Sequence, residues 1–251
     1  MNLLQKALGR KSKSPVTVPD PEFPRLEGMH YIDLLGRFHE VRRPGTYLEV
    51  GSQKGLSLQP ARGRCIAIDP SFRIESDVIA GKEDLYLYQG TSDDFFASNY
   101  LGQMGIRIDF AFLDGMHLFE FLLRDLINTE RRAAGPKSVI ALHDCVPYAR
   151  IMTTRDWDKS ITRSWTGDVW KLIPILRRYR PDLEVKVLDC EPTGLVLISH
   201  CDSQSTVLED AYDEIVAEYT PLSIEGFGIE RFVEELQLTS AEGYLRDLSV
   251  G

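Results

Sequence analysis

Two short motifs concentrate the side chains that can do chemistry: FLDGMH, with Asp114 and His117, and ALHDC, with His143 and Asp144. Each ends an apolar run, IDFAFLD or SVIALHD, that reads as a parallel strand buried on both faces. Both carboxylates therefore fall at strand carboxyl ends. Neighbouring strands lie about 4.8 Å apart, so the two groups can converge on one cation. Mg²⁺ is commonly held by one or two carboxylates, with substrate oxygens and water completing its shell. Two Asp and two His also suit Mn²⁺, Fe²⁺ or Zn²⁺, and ligand type alone does not choose the metal. Asp114 and Asp144 are thus the expected metal ligands. His143, His117 and Asp144 are the expected catalytic set, with an imidazole accepting the proton of a hydroxyl whose pKa a cation has lowered. His143 is preferred as base because it adjoins Asp144. For any one of the four residues, helix capping or packing is the better explanation; for all four at two strand ends, function is.

A second constellation lies upstream. YLEVGSQKGLSL places Glu49, Gly51 and Gly55 at a strand-to-helix turn, where a glycine lets a ligand approach the backbone. Gln53 stands where a dinucleotide fingerprint needs its second glycine. An acidic, single-pocket turn suits a cationic, phosphate-free nucleoside such as S-adenosylmethionine, although most such turns taken alone hold nothing. Asp69 follows Glu49 by about 20 residues, the distance at which a carboxylate accepts from ribose hydroxyls. In GTSDDFF, Ser92 and Asp93 are expected to meet the adenine or to cap the next helix. The expected cofactor-binding set is Glu49, Gly51, Gly55, Asp69, Ser92, Asp93 and Asp114.

Seven apolar runs must carry these residues: Thr46 to Val50, Cys65 to Asp69, Leu85 to Gln89, Ile108 to Asp114, Ser138 to Asp144, Glu184 to Asp189 and Leu195 to Ser199. They alternate with helix-compatible segments, the pattern of parallel strands joined by crossover helices. Leu118 to Arg132 has helical apolar spacing and is stopped by Gly135 and Pro136; Gly167 to Tyr179 reads as another helix. Only five residues join the last two runs, which predicts an antiparallel hairpin. The expected class is α/β, a mostly parallel sheet closed by that hairpin. A domain over 41–202 is flanked by an N-terminal tail and helical extension, 1–40, and a C-terminal helical extension, 203–251. In the latter, an acidic amphipathic helix from Leu208, a loop through Gly226 and Gly228, and a shorter helix ending at Leu248 are expected.

The 251 residues, 43% hydrophobic and 27% charged, exclude a disordered or collagenous chain. A net charge of -9 repels phosphate backbones and anionic lipid, so no nucleic-acid partner is expected. Arg177, Arg178 and Arg180 read as cations at a helix C-terminus. Four scattered cysteines read as reduced thiols, and no run is long enough to span a membrane, which places the protein in the cytoplasm with no stable membrane insertion. Met1 to Lys13 combines leucines with lysines and reads as a solvated tail in preference to a surface-lying helix.

YLEVGSQKG, AIDP, FLDGMH followed by Asp125, ALHDC, TGDVWK and PTGLVLI together resemble the class I S-adenosylmethionine-dependent methyltransferases, in the branch of macrocin-type O-methyltransferases and cephalosporin-hydroxylase-like proteins. The resemblance spans roughly Thr46 to Ser199. It implies a Rossmann-like three-layer fold, with a seven-stranded sheet whose last strand is antiparallel. It further implies that Glu49, Gly51 and Gly55 surround the donor's methionine part, that Asp69 meets its ribose, and that carboxylates at Asp114 and Asp144 hold a divalent cation such as Mg²⁺. His143 stands where some relatives carry another acid, and TGDVWK lies on the acceptor side. The expected activity is methyl transfer from S-adenosylmethionine to a hydroxyl of a sugar, other small-molecule or glycan acceptor. Two alternatives are a non-catalytic domain that only binds the donor, and a metal-dependent hydrolase or oxygenase using the Asp/His cluster.

Overall fold

A computed structural model describes residues 17–158, 162 and 164–250. The basic segment Met1 to Lys13 lies outside the described residues. A three-residue strand β1 (Gly28–His30) leads into helix α1 (Tyr31–Arg42), followed by β2 (Thr46–Val50), β3 (Gly63–Asp69), β4 (Lys82–Gln89) and the short helices α2 (Ser92–Ala97) and α3 (Tyr100–Gln103). Then come β5 (Phe110–Leu113), α4 (Phe119–Glu130), β6 (Val139–His143), α5 (Leu172–Tyr179), β7 (Glu184–Leu188), β8 (Cys190–Glu191) and β9 (Leu195–Ser199).

All seven expected runs form strands of one sheet, in the order β4-β3-β2-β5-β6-β9-β7. The first five pair in parallel, and β9 runs antiparallel to both β6 and β7. The final hairpin therefore exists, with its last strand slotted between β6 and β7. Its connection does more than turn: β8, within it, pairs in parallel with β1. Because the chain leaves β2 toward β3 and later resumes on the other side at β5, the strand order reverses there. In open α/β sheets ligands bind outside the carboxyl ends at such a reversal.

Every residue of β2, β5 and β6 is buried, which is why these runs are apolar without alternation. One face, with Leu48, Val50, Ile68, Leu113 and Leu142, packs on α4 and α5 through Phe119, Leu122, Leu126 and Leu172. The other, with Tyr47, Ala67, Phe110, Phe112 and Ala141, packs on α1 through Leu34, Leu35 and Phe38. α5 begins later than expected, after a 3₁₀ turn over Val169–Lys171, because Gly167 adopts φ 56° and Asp168 turns away to serve α4.

The expected helix, glycine loop and shorter helix of the C-terminal extension are corrected to five shorter helices. The chain forms α6 (Val207–Asp210), α7 (Tyr212–Tyr219), α8 (Ile224–Phe227), α9 (Ile229–Leu236) and α10 (Ala241–Val250). The break falls at 220–223, where Pro221 lacks an N–H and the Ser223 hydroxyl caps the next turn by accepting from Gly226 N at 3.1 Å. Gly226 lies inside α8, and only Gly228, at φ 99°, acts as a joint. All four cysteines are buried and unpaired. Among the described residues, no helix is long and apolar enough to cross a membrane.

Candidate active site

The turn after β2 is built by contacts the sequence does not display. Gly51 has φ 89°, and a Cβ there would stand 1.9 Å from the carbonyl oxygen of Asp114. The glycine thus serves the close approach of two backbones, where access for a ligand was the expected reason. Gly55, at φ 79°, would drive a Cβ to 2.4 Å from Val78 Cγ1. Asp69 pins the turn to the tip of β3, its Oδ2 accepting from Gln53 N at 2.8 Å and its Oδ1 from Ser71 N at 2.6 Å. Each oxygen keeps a further lone pair for a ligand. Glu49 is fully buried and accepts from the Tyr47 hydroxyl at 2.6 Å and the Ser57 hydroxyl at 2.9 Å. Burial lifts its carboxyl to about 7 against the pull of these bonds.

The four residues expected to converge do so. His143 Nδ1 lies 3.2 Å from Asp114 Oδ1 and 3.4 Å from Asp144 Oδ1. His117 Nε2 lies 3.4 Å from Asp114 Oδ1 and 3.2 Å from Asp144 Oδ2. Ligand atoms of Asp114, His143 and Asp144 fall within 4.8 Å of one another, a geometry that can hold a metal ion. The Thr193 hydroxyl donates to Asp144 Oδ1 at 2.5 Å and orients that carboxylate from beneath. Burial opposes charge on all four groups, but their mutual attraction prevails. The carboxylates raise His117 to about 9 and His143 to about 10, while Asp114 and Asp144 are held below the usual carboxylate range by the two imidazoles. Asp144 also sits at φ 59°, a strained conformation for a residue with a Cβ, of the kind that collects at functional sites.

TGDVWK proves to be the support of this cluster. A Cβ on Gly167 would meet the His117 carbonyl oxygen at 1.6 Å, so the segment lies directly on the FLDGMH loop. Asp168 accepts from Phe119 N at 2.9 Å, capping α4 from 49 residues away, and is itself held by Lys171 Nζ at 2.7 Å and by Arg155. The Trp165 carbonyl accepts from His117 Nδ1 at 2.8 Å when that nitrogen carries its proton, which aims Nε2 at the carboxylates. The Trp165 ring stacks on the same imidazole at 5.3 Å.

The third loop departs from expectation. Thr91, and neither Ser92 nor Asp93, caps α2, its hydroxyl accepting from Asp94 N at 3.1 Å. Asp93 accepts from Arg124 Nε at 2.9 Å and Nη2 at 2.7 Å, which fixes α2 to α4. Below Ser92 lies Asp125, 2% exposed, whose carboxyl burial lifts to about 7 despite a hydrogen bond from Ser92. Sequence reasoning missed Tyr31 altogether: it opens α1 and lays its ring 4.0 Å from that of His143.

No family model and no curated protein matches the chain in sequence. Solved structures share its fold. The O-methyltransferase TomG of Streptomyces achromogenes, solved with SAM, aligns at a TM-score of 0.50 with 16% identity, covering 68% of this chain and 80% of that one. Cofactor-bound Rv0187 from MTB aligns at 0.51, also with 16% identity, covering 72% and 84%. The Rossmann-like three-layer fold with a seven-stranded sheet is therefore that of these proteins.

Proposed function

We propose that the chain is an S-adenosylmethionine-dependent O-methyltransferase acting on a hydroxyl of a sugar or other small molecule. One observation carries the reading: the glycine turn of β2, Asp69 of β3 and the Asp/His cluster of β5 and β6 all lie at the carboxyl ends of neighbouring parallel strands, on either side of the strand reversal. The structural neighbours, one of them solved with SAM, support the choice of donor.

In this reading the donor lies across the tips of β2 and β3, with the Asp69 oxygens toward its ribose. Its sulfonium methyl faces Asp114 and Asp144. The acceptor oxygen attacks the methyl carbon, the carbon–sulfur bond breaks, S-adenosylhomocysteine leaves, and the hydroxyl proton passes to an imidazole. His117 fits that task better than the His143 preferred on sequence grounds, because its side chain is 23% exposed against 6% and can return the proton to solvent. Neutral His117 keeps Nδ1–H on the Trp165 carbonyl and presents the Nε2 lone pair. The carboxylate charges that raise its pKa are those a cation would neutralise. Positioning by the crevice supplies much of the rate of such a displacement.

The donor set fits a divalent cation: two carboxylates and one buried imidazole nitrogen within 4.8 Å, with Asp144 oriented by Thr193. Asp114, Asp144 and His143 would hold it, and when bound it lowers the pKa of an acceptor hydroxyl. Calorimetry with S-adenosylmethionine, followed by an acceptor panel with and without Mg²⁺, tests the reading. Donor binding with methyl transfer to a hydroxyl supports it, and binding without any turnover favours a non-catalytic domain.

A further inference from the structure

Tyr31 has no part in the chemistry above and belongs to no motif, yet several long-range contacts hold it against His143 at the end of β6. β1, just before it, is paired with β8 and receives two further ties. Gly28 N donates to the Asp189 carbonyl at 3.0 Å, and Met29 N donates to Glu242 Oε1 of α10 at 3.0 Å. Asp189 in turn accepts from Ala241 N at 2.8 Å through Oδ1. The approach is close enough that a Cβ on Gly28 would lie 2.4 Å from that same Oδ1. Both chain extensions therefore close on each other at one corner, and the residue they deliver is Tyr31.

Its ring rests on His143 at 4.0 Å and faces Phe112 at 6.0 Å. The hydroxyl makes no hydrogen bond among the described residues, and the charges of Asp114, Asp144 and Glu49 all bear on it. The ring thus lies against the last residues of β5 and β6.

The donor's methionyl tail carries an ammonium and a carboxylate. Asp114 and Asp144 are balanced by His117 and His143, and the groups beside the donor turn, Glu49 and Asp69, are carboxyls, so the ammonium is served there and the carboxylate needs a donor of its own. The imidazole nitrogens that face the cluster are engaged by Asp114 and Asp144. The Tyr31 hydroxyl is uncommitted, and it sits at the first turn of α1, whose positive end favours an anion. Resting on the donor reading above, we propose that Tyr31 donates a hydrogen bond to the α-carboxylate of S-adenosylmethionine, and that the β1–β8–α10 clamp sets it there.

The test compares calorimetric affinities for S-adenosylmethionine and decarboxylated S-adenosylmethionine, using the unsubstituted protein and Tyr31→Phe. A hydrogen bond to a charged group is worth a preference of about tenfold or more for the carboxylated donor. Tyr31→Phe loses most of that preference while its affinity for the decarboxylated donor stays nearly unchanged. Glu242→Ala, which loosens the clamp at a distance, shifts the preference in the same direction by less. An unchanged preference in Tyr31→Phe overturns the proposal, as does an equal loss for both donors, which would mean the ring acts only by packing on His143. Failure of the unsubstituted protein to bind either donor would instead overturn the donor reading itself.

Discussion

Gly51 and Asp114 meet backbone to backbone, with room for no Cβ between them: it would stand 1.9 Å from the carbonyl oxygen. This contact locks the glycine turn of β2 to the strand end that carries the first cluster carboxylate. The proposed donor site and reaction centre are thereby one rigid unit. Gly51→Ala must both strain a φ of 89° and push two strand tips apart. Such strain and overpacking cost about 1–3 kcal/mol each. Urea unfolding should show the loss, while Gly135→Ala, with nothing within 4 Å of the new Cβ, should be nearly silent.

Arg180, read from sequence as one of three cations at a helix end, is 1% exposed. Its guanidinium grips Glu130 with two bonds of 2.6 and 2.9 Å and also holds Asp182. Arg180→Leu leaves Glu130 buried and uncompensated, which should destabilise by about 3–5 kcal/mol. The double variant Arg180→Leu, Glu130→Leu should recover much of the loss in the same unfolding assay.

His39 is 2% exposed, packed edge-on against Tyr47 and Phe110, and both its ring nitrogens lack partners. Burial first, then the charges of Lys82 and Arg62, lower it from 6.5 to about 3. Between these values the unfolded chain binds the proton and the folded one does not, so stability falls as pH drops below 6.5 and levels off near 3. The slope is at most about 1.4 kcal/mol per pH unit, or roughly 2 kcal/mol between pH 7 and 5. His39→Phe should remove that component from the difference in unfolding free energy measured at the two pH values. An equal difference in both proteins would show that His39 does not titrate this way.

The cluster should bind Mn²⁺, read as loss of the free-ion signal in electron paramagnetic resonance. Asp144→Asn should abolish binding. Thr193→Val, which touches no metal but frees Asp144 Oδ1, should weaken it by about tenfold or more.

The strands were legible because β2, β5 and β6 are buried on both faces and must be apolar throughout. Asp114, His117, His143 and Asp144 were legible because strand ends deliver them, whatever the loops do. Tyr31 was not, because its place depends on β1 pairing with β8, 162 residues apart at Gly28 and Cys190. Asp168 and Arg180 were unreadable for the same reason: their partners Phe119 and Glu130 lie 49 and 50 residues away. The amphipathic pattern of α1, with Leu34, Leu35 and Phe38 buried, is present in the sequence, but a helix ahead of the first long strand reads equally as an extension and as a layer over the sheet. In the C-terminal extension, Pro221 carried the signal for the break, but Gly226 and Gly228 offered a rival one.

Calorimetry with S-adenosylhomocysteine tests the central claim most directly, since the product needs neither metal nor acceptor to occupy the crevice. The account predicts saturable binding at one site per chain, lost in Gly51→Val and weakened by about tenfold to a hundredfold in Asp69→Ala, where buried ribose hydroxyls lose their partner. Absence of binding up to the solubility limit of the ligand, or full affinity retained in both variants, would contradict it.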